Sequence, residues 1–529
     1  MRPLATDTHD FPALRRDGKI YVDKTMFIHR LIAGNDTKLF FMSRPRRFGK
    51  SLTISALKAI FSGRRELFKG LYIDGTDWKW EKYPVIHFEF NDVTTTSLEE
   101  FEKDLADHVE NRLREAGYAY DNTKSAHYNF GMAITELAAK CREDGNEKGG
   151  VVILIDEYDA PVGHALDDID FAEKVRERLS AVYSQMKNRT GDIKFLFMTG
   201  VSKFTRLSVF SALSNLVDVS QDTEYATMFG YTEEELSANF EEHLREHARI
   251  MGKPYDEYRA EMKWWYNGFR FAKEDPTTVY NPISIALTLK RKQKDFSATW
   301  ATTGRPSMLM NYLKREDVAG IDYMDITEVT EDEFDVAELR NLRPVAMLFQ
   351  SGYLTIKDYE DGLYKLGVPD EEVRRDLAKT VTGVIADEST AWAASLGVKL
   401  LTARWFEFFA GLKSLYAHMP YGSTEDCPHE AAYQRILCTL LASQGIRYRA
   451  EDVQSDGRAD VVAEHKRGIF IFELKVGEPV DKAFAQIRKK GYAEPYIASG
   501  KPIWLIGLSF DGETRRLVDY AAEKFSECS

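Results

Sequence analysis

With 529 residues, 44% apolar and 29% charged, the chain is too long for one core and has the make-up of two to four soluble globular domains. Its 71 basic and 84 acidic residues give a net charge of −13, which excludes a global attraction to nucleic acid and leaves any such binding to a local basic surface. Four scattered cysteines (Cys141, Cys427, Cys438, Cys528) exclude a disulfide framework. There is no apolar leader after Met1-Arg2-Pro3 and no bilayer-spanning run, so a cytoplasmic protein without a membrane partner is expected.

In chain order, Tyr21-Val22-Asp23-Lys24-Thr25 precedes a helix with apolar residues at Met26, Phe27, Leu31 and Ile32, and Thr25 or Asp23 is its expected N-cap. This segment either covers the sheet or closes over a nucleotide base. An apolar strand, Leu39 to Ser43, then runs into Arg44-Pro45-Arg46-Arg47-Phe48-Gly49-Lys50-Ser51-Leu52, whose last residues open a helix to Phe61. Strand, loop and Gly-Lys-Ser at a helix start form the setting of a P-loop, where free N–H groups and a positive dipole end meet phosphate. Gly49, Lys50, Ser51 and Leu52 are expected at the nucleotide, with Lys50 on the β- and γ-phosphates and Ser51 on Mg²⁺. Arg44 stands where the pattern G-x-x-x-x-G-K-[ST] begins with glycine. The loop loses backbone freedom there, and Arg44 is expected either to contact phosphate or to brace a lid.

A strand at Pro84 to Phe90 and helices at 97–116 and 126–142 follow. Gly149 to Glu157 is then an unbroken apolar run ending in two acids, the mark of a strand buried on both faces. At its carboxyl edge Asp156 fits the Mg²⁺ shell and Glu157 the base that orients an attacking water, so the two motifs together indicate an ATP-binding domain. After a helix at 171–187, the strand Lys194 to Gly200 delivers Thr199 to the place of a γ-phosphate sensor in AAA-like ATPases. Lys203 or Arg206, just beyond, is a candidate transition-state cation. Between 232 and 313 the pattern turns helical. Its aromatics at Trp264, Trp265 and Tyr266 are expected in the core, and Asn267-Gly268 as a turn.

The segments Tyr21 to Thr25, Arg44 to Ser51, Leu154 to Asp159, Thr199 to Phe204, Trp265 to Phe271 and Tyr280 to Pro282 resemble the bacterial AAA-ATPase-like family over nearly the whole chain. The resemblance implies an α/β P-loop domain of the additional-strand, catalytic-glutamate type over 1–231. It also implies a helical lid or winged-helix-like region over 232–313 and a C-terminal nuclease-like domain. The stretch 314–415, with acidic runs and a short strand pair near 352–366, reads as a mainly helical connector.

The last domain, 416–529, carries its own chemistry. A helix from Glu430 leads to strands holding Asp460 and, two residues apart on one face, Glu473 and Lys475. Two carboxylates and an ammonium on one surface suit Mg²⁺-dependent phosphodiester hydrolysis. The set resembles a PD-(D/E)XK nuclease core, with Glu430, Asp460 and Glu473 at the metal and Gln486 and Tyr492 as the following helix motif. The expectation is an ATPase, using ATP and Mg²⁺, that controls a nuclease acting on nucleic acid, DNA foremost; self-association is left open. The alternative is an ATP-dependent switch whose nuclease-like domain only binds nucleic acid or a protein partner.

Overall fold

The structure is a computed structural model. It describes the chain apart from residues 7, 35–36, 147–148, 167, 204–212, 214, 292–293, 299–324, 336–338, 340–342, 387–389, 418–428, 455–456 and 527–529. Arg206, Cys427, Cys528 and the end of the aromatic-rich stretch at 300–304 lie outside the described residues. The chain divides into two compact units, one built from Met1–Leu309 and Asp325–Glu371 and the other chiefly from Glu372–Ser529. The stretch read as a connector over 314–415 is therefore shared between them.

In the first unit five strands form a parallel sheet: β1 (Leu39–Ser43), β2 (Val85–Glu89), β3 (Val151–Asp156), β4 (Ile193–Gly200) and β5 (Val217–Asp218). Their order is β2-β3-β4-β1-β5, so β4 is inserted between the strand that enters the P-loop and the strand that ends in Asp156. Every residue of β3 is buried, which is why its sequence shows no alternation. The parallel register sets Glu89 beside Asp156 and Ser43 beside Gly200, so the strands' carboxyl ends gather at one edge. Helix Lys50–Phe61 packs back on β2, β3 and β4. Helix Leu98–Glu115 is capped by Ser97 and buries Phe101, Leu105, Val109 and Leu113 at four-residue spacing.

Beyond the sheet, helices Glu233–Met251 and Tyr255–Tyr266 share a core that includes Trp265, Tyr266 and, from the N-terminal segment, Ile20 and Val22. The expected helix near residue 25 spans Thr25–Ala33, and Asp23 serves its first turn by accepting the Thr25 N–H at 2.9 Å. Asn267-Gly268 does not make a turn. It begins β6 (Asn267–Phe269), paired with β7 (Val279–Tyr280), where a Cβ on Gly268 would sit 1.9 Å from the Pro369 carbonyl oxygen. The glycine serves a close backbone approach made by residues a hundred positions away. A further sheet of order β8-β10-β9 joins β8 (Asp325–Val329), β9 (Thr355–Glu360) and β10 (Leu363–Gly367). Asp361 and Gly362, both at positive φ, turn the β9–β10 hairpin.

The second unit holds a mixed sheet in chain order: β11 (Arg447–Gln454), β12 (Gly457–His465), β13 (Gly468–Val476), β14 (Ile503–Phe510) and β15 (Leu517–Lys524). Only β13 and β14 run parallel. Helix His429–Ser443 packs on β11 to β13, and helix Val480–Lys489 on β13 to β15. The parallel pair needs a crossover, and the Val480–Lys489 helix supplies it.

Gly200, at the carboxyl edge of β4, tests how tightly that edge is built. A Cβ there would meet the Asp159 carboxylate at 2.2 Å and the Tyr158 ring at 2.5 Å. Gly200→Ala should cost about 1–3 kcal/mol of unfolding free energy. Gly75→Ala, at an exposed position with nothing within 4 Å of its Cβ, should be near neutral. Thermal denaturation of both variants checks this, and equal melting temperatures would show that the edge relaxes freely.

Candidate active sites

The P-loop is formed by backbone that the sequence locates only in part. Gly49 is left-handed at φ 101°, and the second left-handed residue is Arg47 at φ 70°; Arg44 is not among the positive-φ residues. An arginine in place of the usual first glycine is therefore compatible with the local backbone. The Lys50 ammonium is buried, donating to the carbonyls of Arg44 at 3.0 Å and Pro45 at 3.1 Å, and lies 3.7 Å from Glu157. Ser51 donates to Asp156, whose carboxyl is pushed up to about 6 by burial and then by Glu157. Glu157 is held in a left-handed conformation, φ 50°, and its N–H donates to Asp156 Oδ1. Gly49, Lys50, Ser51, Leu52 and Glu157 all line one cavity of about 620 Å³, together with Tyr21, Val22 and Lys24 from the N-terminal segment. A larger cavity of about 920 Å³, lined by Lys140, Asp144 and Lys194 among others, opens beside Pro84 ahead of β2, away from these groups.

Three expected nucleotide residues are engaged elsewhere. The Arg44 guanidinium is buried, donates to the carbonyls of Ser43 at 2.9 Å and Ser220 at 2.5 Å, and stacks 4.2 Å from the Phe271 ring. These contacts are of the kind that bracing requires. Thr199 is fully buried and its hydroxyl donates to the Met42 carbonyl at 2.8 Å, across the β4–β1 junction. Lys203 is buried between Asp218 at 3.0 Å and Asp335 at 2.8 Å, so its charge is already neutralised. Each has the charge or hydroxyl that its expected role requires, but other partners occupy those groups.

Residues that the sequence did not single out hold the edge together. Asp159 is buried and accepts from Val201 N at 3.2 Å, Ser202 N at 2.6 Å and the Ser202 hydroxyl at 2.5 Å. Burial, then the nearby Glu157, raises its carboxyl pKa. Tyr158 donates its hydroxyl to the Ser202 carbonyl. The only signal was the adjacency of Tyr158-Asp159 to the two acids, which does not reveal a partner more than 40 residues on.

In the second unit, β12 and β13 part at the acids. Their backbone pairing ends at Val461 and Phe472, and the Asp460 side chain takes over by accepting the Leu474 N–H at 2.7 Å. Glu473, in the notch, is fully buried. One oxygen accepts from Lys475 at 2.7 Å, and the other has no hydrogen-bond partner. Burial, then Asp460, pushes its carboxyl up to about 7, while burial pushes Asp460 to about 6. Lys475 is held above its ordinary value by the two acids despite the opposing effect of burial. Gln486 approaches the Tyr492 hydroxyl at 3.5 Å, and that hydroxyl donates to the Arg458 carbonyl at 2.8 Å, two residues before Asp460.

Glu430 does not complete a three-acid set. It is exposed in the first turn of its helix, and no three acids, histidines or cysteines form a metal cluster among the described residues. Its charge still reaches Asp460 and Lys475. The orphaned Glu473 oxygen opposite Asp460 fits a divalent cation, as does Asp156 with Ser51 in the first unit.

A family model described as "Predicted AAA-ATPase" matches residues 5–210, and one described as "PD-(D/E)XK nuclease superfamily" matches residues 428–520. The chain is also similar to an "Uncharacterized protein in vnfD 5'region" of Azotobacter chroococcum mcd 1. The two are 32% identical over 523 residues, which cover 96% of each chain. No solved structure matches. No helix among the described residues is long and apolar enough to cross a membrane.

The raised Glu473 pKa has a measurable sign. A carboxyl titrating near 4.5 unfolded and about 7 folded binds its proton more tightly in the fold. Its contribution to stability is full below the unfolded value and is lost as pH rises through about 7. Without divalent metal, the melting temperature of the parent should fall relative to Glu473→Gln across that window. Calorimetry at matched pH values checks it, and a constant difference between the two proteins would contradict the assignment.

Proposed function

We propose, since the chain belongs to the predicted AAA-ATPase family and ends in a domain of the PD-(D/E)XK nuclease superfamily, that it hydrolyses ATP and cleaves nucleic acid under control of that hydrolysis. The observation that carries this reading is the pair of separate phosphoryl-transfer constellations: Lys50 with Ser51, Asp156 and Glu157, and Asp460 with Glu473 and Lys475.

In the first site the N–H groups at the start of helix Lys50–Phe61 bind phosphate, and Lys50 exchanges its loop carbonyls for the β- and γ-oxygens. Ser51 and Asp156 would hold Mg²⁺, which spreads the phosphate charge. Glu157 accepts the proton of a water whose oxygen attacks the γ-phosphorus. The bond to the bridging oxygen breaks, and its electron pair leaves on ADP. In the second site Asp460 and Glu473 would hold a divalent cation, which would supply Lewis acidity toward water and the phosphodiester; a water oxygen bonds to phosphorus, the bond from phosphorus to one sugar oxygen breaks, and that oxygen leaves with the electron pair and takes up a proton. Lys475 orients that attack and offsets charge on the phosphoryl oxygens. Gln486, through Tyr492, holds the β12 end on which Asp460 stands. DNA is the first substrate to test.

Lys50→Ala should abolish ATP hydrolysis and weaken ATP binding, whereas Glu157→Gln should keep binding and stall hydrolysis. Parental rates in both would remove the site assignment. Asp460→Ala, Glu473→Ala and Lys475→Ala should each slow plasmid cleavage by about a hundred- to a thousandfold and leave ATP binding intact. A parent that binds ATP but cleaves nothing, with Mg²⁺ or Mn²⁺, would leave the switch reading in its place.

A further inference from the structure

The three arginines of the P-loop have different surroundings, and the side chain of one of them has no partner among the described residues. Arg44 is buried among backbone carbonyls and the Phe271 ring. Arg47, in its left-handed conformation, is already engaged. Arg46 lines the same cavity as Lys50, Ser51 and Glu157, and is half-buried. Its guanidinium makes no hydrogen bond or ion pair with any described residue. A partly desolvated guanidinium without an acid is a costly arrangement unless an anion joins it.

The position of Arg46 is also fixed. Asn281, buried and capping helix Pro282–Lys290, accepts from Ile283 N and Ser284 N and donates its side-chain amide to the Arg46 carbonyl at 3.4 Å. The backbone of the arginine is thus tied to the helical region that follows the sheet. His164, at the end of helix Ala160–His164 just beyond Glu157, feels the charge of Arg46. Burial first, and Arg46 next, lower its pKa, while Asp159 and Glu157 oppose them. Arg46 and Glu157 line the same cavity.

We infer that Arg46 contacts the γ-phosphate of ATP and stabilises the charge that gathers on it during transfer, a cation supplied from within the P-loop itself. This inference rests on the ATP reading of that site. As the γ-phosphorus passes from the bridging oxygen of ADP to the attacking water, negative charge spreads over the phosphoryl oxygens and onto the leaving oxygen. A guanidinium presents paired N–H donors to such oxygens. Of the two cations the sequence offers for this task, Arg206 lies outside the described residues, and Lys203 is bracketed by Asp218 and Asp335.

Displacement of a fluorescent nucleotide by ATP and by ADP, with Mg²⁺, tests the inference in the full chain. Arg46→Gln should lower ATP affinity by about tenfold while ADP affinity stays within about threefold, and kcat should fall by about a hundredfold or more. Its melting temperature should not fall below the parent's, because the side chain has no partner to lose among the described residues. Equal losses for ATP and ADP would place Arg46 on the shared phosphates or in the loop's architecture and overturn the inference. An unchanged ATP-to-ADP ratio, or a large drop in melting temperature, would overturn it as well. A parent that binds neither nucleotide would defeat the ATP reading itself, an outcome separable from a variant that behaves like a binding-competent parent.

Discussion

A buried carboxylate, Asp159, ties the turn after β3 to the end of β4 through the N–H groups of Val201 and Ser202 and the Ser202 hydroxyl. The rest of the proposed ATP site depends on that tie. Glu157 keeps its left-handed backbone and its 3.7 Å distance from Lys50 because the residues on both sides of it are fixed. Tyr158 closes the same junction by donating its hydroxyl to the Ser202 carbonyl and its backbone N–H to the Thr199 carbonyl at 3.2 Å. Gly200 has no room for a side chain because Asp159 and Tyr158 occupy that space. A residue missing from the sequence's own shortlist thus sets the geometry of those that are on it.

The second unit solves a similar problem with different parts. Where β12 leaves β13, a backbone N–H would be stranded at Leu474, and the Asp460 carboxylate takes its proton donor. The divergence opens the notch that holds Glu473, and burial there makes the carboxylate costly unless a cation joins it. Lys475 compensates one oxygen and leaves the other unsatisfied. In both units burial raises carboxyl pKa values beside a lysine. Such a site gains most from binding a divalent cation at neutral pH.

What the sequence made legible follows from how local each signal was. The apolar runs at Leu39 to Ser43, Gly149 to Glu157 and Lys194 to Gly200 read as buried strands because burial on both faces removes alternation, and the structure has strands at Leu39–Ser43, Val151–Asp156 and Ile193–Gly200. The helix read at 97–116 is present as Leu98–Glu115, with Ser97 as its cap. Side-chain orientation was not legible. Arg44, Thr199 and Lys203 have the right chemistry for phosphate, but Ser220, Met42 and Asp335 engage them across gaps of more than a hundred residues, with Asp218 a nearer second partner of Lys203. Glu430 had the right identity but an exposed position. Asn267-Gly268 looked like a turn because only the distant Pro369 reveals why the glycine is there.

The central claim is that ATP turnover at Lys50 and Glu157 governs phosphodiester cleavage at Asp460 and Glu473. The most direct measurement is the nicking rate of closed circular DNA by the parent and by Glu157→Gln, each with and without ATP in the presence of Mg²⁺. The account predicts that ATP changes the parental rate, and that Glu157→Gln, which binds ATP without turning it over, holds cleavage at a different level from the cycling parent. Nicking at one rate under all four conditions would contradict it.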